Sequence, residues 1–255
     1  LGINWGAMTM NEFKRWGTGY SGCDGGDMGR PDTPSVWVCG IEWGGGDTAE
    51  SLATALDEDV SVPPEGYAGW AENLAYIFNW RLMKLLSAMG GGSVADYKAY
   101  AEKEQPFVIG SDGYFKLNLY PIGFKNTSHA HWKTQFSEMT GFADKTEYLN
   151  WCVENRFPRL RDWAKQHQPK LILCLGKTYL EDFGAAFHCR EADFSHEVID
   201  DRDLYWAVNA EGTLVVVIPF MVNPCGLVKD VSIQKFGERI SALLSNQSPR
   251  ISCAS

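Results

Sequence analysis

Four short apolar segments constrain the fold of this chain more than any other feature of its sequence. Each is rich in β-branched or aromatic residues and ends at or beside a glycine or a proline, which is typical of buried strands. They are SVWVCG (35–40), YFKLNLYPI (114–122), LILCLG (171–176) and TLVVVIP (213–219). Together they predict the strands of one central sheet.

Helix-like stretches separate these segments. Residues 71–90 repeat apolar side chains every three or four positions and stop at a glycine run. Residues 146–168 open with a Thr cap, although Pro158 should kink or divide that helix, and residues 229–245 resemble a final helix. Strands that alternate with helices predict a single three-layer αβα domain with a central, mainly parallel, four-stranded sheet.

Length and composition fit one such domain. The chain has 255 residues, of which 45% are hydrophobic. We expect an N-terminal extension with a Gly-rich loop over 1–34, the α/β domain over 35–248 and a C-terminal tail over 249–255. Glu211 and Gly212 can turn a hairpin that adds an antiparallel strand to the sheet.

Charge and cysteine content exclude several classes of protein. A net charge of -9 argues against nonspecific coating of nucleic acid. Seven scattered cysteines give neither a disulfide framework nor a C-x-x-C metal site, so no metal and no cofactor are predicted. The apolar runs are far shorter than a membrane span, which predicts a soluble, cytoplasmic protein without a membrane partner.

The predicted strand ends carry polar residues with useful chemistry. In chain order they are Glu42, Asn118, Lys177 with Thr178, and Asn223. A carboxylate can stabilise a developing cation, an Asn can pair with the edge of a nucleobase, and a helix N-terminus can hold a phosphate. Ligands of open α/β sheets bind at the carboxyl ends of strands, so we expect one shared crevice. Taken singly, Glu42 is equally compatible with a solvated loop and Asn118 with a turn cap.

The order of these motifs resembles the uracil-DNA glycosylase superfamily over roughly residues 35–245. GIEWG resembles the first motif of that family, a strand followed by Gly-Gln-Asp-Pro-Tyr, Gly-Ile-Asn-Pro-Gly or Gly-Glu-Ala-Pro-Gly. LNLYP is similar to the second strand, whose Asn reads the flipped base. NTSHAHWKTQF resembles the Asn-Ser-His segment and following Trp helix of the uracil-specific branch. PKLILCLGK is similar to the third strand and its glycine turn, and VNPCGL lies where the family has His-Pro-Ser-Pro-Leu.

The resemblance implies a monofunctional DNA glycosylase, which hydrolyses the N-glycosidic bond of a flipped base and leaves an abasic site. It places Glu42 at the catalytic Asp or Asn and Asn118 at the base reader. It places Asn223 at the position of the His that stabilises the departing base. It places Leu227 at the position of the wedge side chain, which fills the hole left in the duplex. DNA is then the expected partner, with no obligate protein partner.

The remaining site residues follow from the same resemblance. A stacking ring is expected from Tyr67 or Trp70, within the long acidic insertion 47–70, and Trp43 replaces the family proline beside the base. That insertion is as compatible with surface elaboration as with a substrate lid. The candidate DNA contacts are Ser128, His129, Lys177, Thr178 and Lys229.

Two departures from the family pattern leave the substrate open. Asn223 cannot supply the imidazole that helps uracil leave, and Trp43 stands where the family has Pro. A damaged or enzymatically modified base is therefore a better expectation than uracil. Some bacterial relatives remove hypermodified cytosines from phage DNA, so DNA repair and antiviral defence both remain open.

Other features keep further alternatives open. The Gly-rich loop 22–31 either completes the pocket beside Glu42 or is a flexible linker. The chain could also be a catalytically silent relative that binds nucleic acid or a partner protein. A third reading is a hydrolase of free nucleosides or nucleotides, which would suit the acidic composition.

Overall fold

The computed structural model describes residues 10–44, 46–124, 128–222 and 225–247. The predicted tail 249–255 lies outside these ranges, as do the first nine residues of the predicted extension. Within them, seven strands form one mixed sheet. They are β1 (Cys23–Gly26), β2 (Val36–Gly40), β3 (Tyr114–Asn118), β4 (Leu171–Leu175), β5 (Ser195–Ile199), β6 (Arg202–Val208) and β7 (Leu214–Ile218).

The strand order is β1-β3-β2-β4-β7-β6-β5. The four predicted strands are the central ones, β3, β2, β4 and β7, and each pair of neighbours among them is parallel. The predicted hairpin is confirmed, because β6 pairs with β7 in antiparallel orientation. The α/β class is thus confirmed, whereas the sheet has seven strands instead of the predicted four.

The first edge strand comes from the Gly-rich loop 22–31. β1 pairs with β3 in antiparallel orientation, so this segment belongs to the sheet and is not a linker. Gly25 lies at a φ of 104°, and a Cβ there would stand 2.2 Å from the carbonyl oxygen of Pro64. Glycine is needed here because the positive φ and the close backbone approach exclude a side chain.

Helices cover both faces of the sheet. The helices are α1 (Met10–Thr18), α2 (Ala49–Leu56), α3 (Trp70–Asn73), α4 (Ile77–Met89), α5 (Tyr97–Glu104), α6 (Thr134–Thr140), α7 (Lys145–Trp151), α8 (Phe157–His167), α9 (Leu180–Phe187) and α10 (Asp230–Ser245). The predicted helix 71–90 is split into α3 and α4. No helix in the described ranges is long and apolar enough to cross a bilayer.

A π-helical turn, Cys152–Arg156, joins α7 to α8 and ends two residues before Pro158. Proline cannot donate the usual backbone hydrogen bond, and a wider turn accommodates that loss within a continuous helical segment. The turn also places Arg156 inside the protein, where its guanidinium donates to carbonyl oxygens at the end of β3 and in the segment before β1.

Alternate residues of the central strands enter two separate cores. Trp37 and Cys39 pack in the core beneath α1, α7, α8 and α9, whereas Val36 and Val38 pack in the core beneath α4, α5 and α10. The parallel register places Val38 beside Lys116 and Gly40 beside Asn118. Lys116 and Asn118 therefore face the layer that contains α4.

Candidate functional site

Two adjoining cavities lie at the carboxyl ends of the four parallel strands. The first, called here the β2–β3 cavity, has a volume of about 560 Å³. The second, the β4–β7 cavity, has a volume of about 520 Å³. Glu42, Trp43, Gly44 and Phe220 line both. The pair forms the crevice that the sequence predicts, at the edge where open α/β sheets bind ligands.

A larger surface groove of about 810 Å³ lies elsewhere, between α1, the loop 57–61 and α8. It contains none of the predicted site residues. Its lining mixes acidic and basic side chains, and a stacked pair formed by Tyr20 and Trp163 stands at one side. We therefore place the candidate site at the strand ends.

Glu42 lies two residues after the end of β2, and 9% of its side chain is exposed. Its Oε2 is 3.7 Å from the Nζ of Lys145, the first residue of α7, whose side chain is 2% exposed. At this distance the two side chains form an ion pair but no hydrogen bond. Lys145 Nζ has no hydrogen-bond partner among the described residues. Lys145 Nζ also stands 3.8 Å from the centroid of the Phe124 ring, a cation–π contact.

Burial controls the ionisation of Glu42. Removal from water raises the pKa of Glu42 to about 7, the positive charge of Lys145 opposes this rise, and Asp47 adds to it. Burial lowers the pKa of Lys145, whereas the negative charge of Glu42 raises it. A carboxyl group that titrates near neutral pH can accept a proton efficiently in a reaction, which is the behaviour of a general base.

Asn118 ends β3 and lines the β2–β3 cavity with 4% of its surface exposed. Its Nδ2 donates one hydrogen bond to the carbonyl oxygen of Gly22 at 3.0 Å, which leaves its second amide hydrogen for a ligand. Arg156 donates to the carbonyl oxygen of Asn118 and so fixes the backbone at this point. Glu42 and Asn118 thus lie on the lining of one cavity, as the sequence predicts.

Gly40 gives the Asn118 side chain its space. A Cβ at Gly40 would stand 2.3 Å from Asn118 Oδ1, so Gly40→Ala must displace the amide. We expect this variant to lower kcat/KM for the reaction proposed below at least about 10-fold, because small displacements of positioning groups cost large factors in rate. Gly69→Ala is the matched control, since a Cβ at Gly69 meets nothing within 4 Å and Gly69 lines neither cavity. Equal activity of the two variants would contradict a role for Asn118.

The floor of the β2–β3 cavity carries a connected polar cluster, formed by Asp24, Tyr67, Asn79 and Lys116. Lys116 Nζ donates to Asn79 Oδ1 at 2.9 Å, to Tyr67 Oη at 3.1 Å and to Asp24 Oδ1 at 3.2 Å. Tyr67 donates to Asp24 Oδ1 at 2.8 Å and accepts from Asn79 Nδ2 at 3.0 Å. Burial lowers the pKa of Lys116, whereas Asp24 raises it. The Gly-rich loop, through Asp24, therefore does complete this cavity.

Aromatic and apolar side chains surround the mouth of the same cavity. Trp43, Tyr76 and Ile77 line it with exposures of 36%, 55% and 50%. Of the two predicted stacking rings, Tyr67 lines the cavity, whereas Trp70 lies outside its lining and packs against the core beneath α4. The prediction of Trp70 as a stacking ring is therefore not supported by its position.

The predicted DNA contacts lie in different places. Lys177 and Thr178 are exposed and line the β4–β7 cavity, and Lys177 forms an ion pair with Asp203. Ser128, His129 and Lys229 are exposed but line neither cavity. Of the predicted DNA contacts, only Lys177 and Thr178 therefore line the crevice.

Leu227 does not occupy the position of a wedge. Its side chain is 0% exposed and belongs to the core beneath α4 and α10. A wedge must protrude in order to enter a duplex, so this prediction is wrong for the structure described. Asn223, the predicted leaving-group residue, lies outside the described residues.

Leu227→Ala should act on stability. We expect a loss of roughly 2–5 kcal/mol in the free energy of unfolding, because a buried cavity replaces the isobutyl group. Urea denaturation followed by circular dichroism measures this loss. An unchanged midpoint together with weakened DNA binding would restore the wedge interpretation.

Four residues of the site were not predicted from the sequence: Asp24, Asn79 and Lys116, which form one group, and Lys145. Lys116 carried a signal, since it stands two positions before Asn118 in an apolar strand and must share its face. Asp24 lies in the Gly-rich loop, and the sequence indicates none of its hydrogen-bond partners. Asn79 and Lys145 look like ordinary helix residues in the sequence, and their role depends on tertiary contacts.

Comparison with known proteins adds no family assignment. The chain matches no protein-family model and no curated protein. Among the described residues, no three His, Cys, Asp or Glu side chains are grouped as a metal site requires. We therefore infer the function from the geometry of the crevice.

Proposed function

We propose that this protein is a DNA glycosylase, which hydrolyses the N-glycosidic bond of a damaged or modified base flipped into the β2–β3 cavity. The observation that carries the proposal is the placement of a buried carboxylate, Glu42, and a strand-end amide, Asn118, on the lining of one cavity. The uracil-DNA glycosylase-like fold is part of the same proposal. Its support is that the four parallel strands are those on which the family motifs fall.

The reaction assigns distinct tasks to the two residues. The bond between C1′ and the base nitrogen breaks, and its electron pair leaves with the base. The ionised carboxylate of Glu42 stabilises the positive charge that develops at C1′ and accepts a proton from the attacking water. Water oxygen bonds to C1′, and the departing base takes up a proton from the solvent. Asn118 holds the edge of the base through hydrogen bonds.

Side chains at the cavity mouth suit contact with a nucleic acid. Tyr76 and Ile77 at the start of α4 are exposed beside the opening, together with Trp43. Aromatic rings can stack on neighbouring bases, and apolar wedges can fill the gap that a flipped nucleotide leaves. Because Leu227 is buried, we assign the wedge role to Tyr76 and Ile77.

An abasic-site assay tests the proposal. Oligonucleotides that carry single modified or damaged bases, in single and double strands, are incubated with the protein and then treated with alkali to cleave abasic sites. We expect cleavage at one or more modified bases and much less at uracil. Absence of abasic sites across the panel would refute the proposal.

A hydrolase of free nucleosides or nucleotides is the second candidate. The observation that favours it is the pairing of Lys177 with Asp203, which offsets the positive charge beside the β4–β7 cavity in a chain of net charge -9. Such a protein would need no surface for a DNA backbone. A higher kcat/KM for a free nucleoside than for the same base in an oligonucleotide would establish this alternative.

A further inference from the structure

The β4–β7 cavity has no task in the proposed reaction. Its volume of about 520 Å³ is close to the volume of about 560 Å³ of the β2–β3 cavity, which holds the excised base in the proposed function. Glu42 lines both cavities, and the proposed mechanism has it act on C1′ of the reacting nucleotide. In that mechanism the sugar lies where the two cavities meet, so the DNA strand that carries this sugar passes the β4–β7 cavity.

Aromatic and aliphatic side chains line a large part of this second cavity. They are Ile41, Trp43, Phe124, Tyr179, Pro219 and Phe220. Trp43 is 36% exposed, although apolar surface is normally removed from water on folding. Aromatic rings beside an open cavity provide a surface on which a nucleobase can stack, and such stacking accepts any base because every base has a flat π-face.

Polar groups lie at one side of the same cavity, in the turn after β4. Lys177 and Thr178 are both exposed there. Lys177 pairs with Asp203, but an ammonium group has three hydrogens and can bond a phosphate oxygen at the same time. His196 Nε2 lies 2.9 Å from Asp203 Oδ1, so Asp203 keeps a partner when Lys177 turns towards a phosphate. This turn can therefore contact the phosphate of a strand whose base enters the cavity.

We infer that the β4–β7 cavity is a subsite for the base next to the excised one in the same strand, with Lys177 and Thr178 on the phosphate that joins the two nucleotides. The inference depends on the proposed function, since the excised base must occupy the β2–β3 cavity. The neighbouring base has to leave its own base pair in order to enter the subsite. The preferred substrate is then a target base whose neighbour is unpaired, as in a single strand.

Oligonucleotides that lack one neighbouring base test the subsite. The nucleotide on the 5′ or the 3′ side of a base that is cleaved in the abasic-site panel is replaced by tetrahydrofuran, which keeps both phosphates and removes the base. In single strands we expect kcat/KM to fall at least about 5-fold for one side and less than about 2-fold for the other, because stacking on aromatic side chains stabilises a bound base by factors of this order. Equal values for all three oligonucleotides would overturn the inference.

Cys225 allows the cavity to be blocked chemically. It is exposed and lines the β4–β7 cavity but not the β2–β3 cavity, whereas the other cysteines of the described ranges are buried. Alkylation with N-phenylmaleimide, in a Cys253→Ser background, should lower kcat/KM at least about 5-fold for the complete oligonucleotide. For the oligonucleotide without the neighbouring base the change should be less than about 2-fold, because both alterations remove the same contact.

Cys225→Ser treated with the same reagent is the control. The reagent should not alter its ratio of kcat/KM between the complete oligonucleotide and the one without the neighbouring base. Equal losses for both oligonucleotides after alkylation of Cys225 would indicate damage to Glu42 or to the fold, and they would contradict the inference.

Lys177→Met tests the phosphate contact. Loss of one such contact should reduce the slope of log Kd against log salt concentration by about one for a single-stranded oligonucleotide. Lys235→Met is the matched control, because Lys235 also pairs with an aspartate at the surface, Asp200, and lines neither cavity. An equal slope for the wild type and Lys177→Met would contradict the inference.

Binding separates failure of the inference from failure of the proposed function. The probe is a single-stranded oligonucleotide with tetrahydrofuran at the target position, with or without the base beside it, and Kd should differ at least about 5-fold in favour of the oligonucleotide with the base. Cleavage that does not depend on the neighbouring base would overturn the subsite and leave the proposed function standing. If no oligonucleotide were cleaved, the proposed function would fail, and the ratio of Kd values alone would decide the subsite.

Discussion

Glu42→Gln should lower the rate of abasic-site formation by roughly 10²–10⁴-fold, the range typical of a lost acid–base group. The amide keeps the shape of the side chain but can neither carry the negative charge nor accept the proton. The dissociation constant for DNA should change less than about 3-fold, because the proposed mechanism has Glu42 act on the reacting sugar. Single-turnover cleavage and fluorescence anisotropy measure the two quantities.

Controls must separate chemistry from folding. Glu42→Gln leaves the buried ammonium of Lys145 without its counterion, so the variant is expected to unfold at a lower temperature. Assays should therefore be made well below its unfolding midpoint. Glu50→Gln makes the same chemical change on the exposed side of α2 and should keep full activity. Full activity of the Glu42 variant would exclude the proposed mechanism, because the carboxylate would then not be needed for the reaction.

The central strands could be predicted because both faces of each are buried. β2, β4 and β7 are buried at every position, so they appear in the sequence as continuous apolar runs. β1 has the sequence CDGG, which contains no apolar pattern typical of a strand. Its pairing depends on the backbone conformation of its glycines. β5 contains only exposed and half-buried residues and has no long run of apolar side chains.

The residues of the candidate site also differ in whether the sequence predicts them. Glu42 and Asn118 could be predicted because a parallel sheet brings successive strand ends to one edge. Lys145 could not, since it begins a helix far along the chain and reaches Glu42 through tertiary packing. Leu227 shows the converse error, because a motif position fixes the place in the chain but not the exposure of the side chain.

Lys145→Met should shift the pH dependence of the reaction to higher pH. In the proposed mechanism Glu42 acts as a carboxylate, so wild-type activity should rise as pH increases through its pKa of about 7. Lys145 favours the ionised form, and Asp47 favours the neutral form. Loss of the ammonium therefore raises the pKa of Glu42 further, and activity at pH 7 should fall about 10-fold or more.

Recovery at high pH distinguishes this electrostatic role from a folding defect. Near pH 9 the variant should regain activity to within about 3-fold of wild type, whereas a misfolded protein would stay inactive at every pH. Lys98→Met, on the exposed face of α5, is the matched control and should keep the wild-type profile. Lys145 is 2% exposed and lines neither cavity, so borohydride should trap no covalent adduct with DNA. A trapped adduct that disappears in Lys145→Met would instead make Lys145 a nucleophile, because only an amine that reaches C1′ can form an imine there.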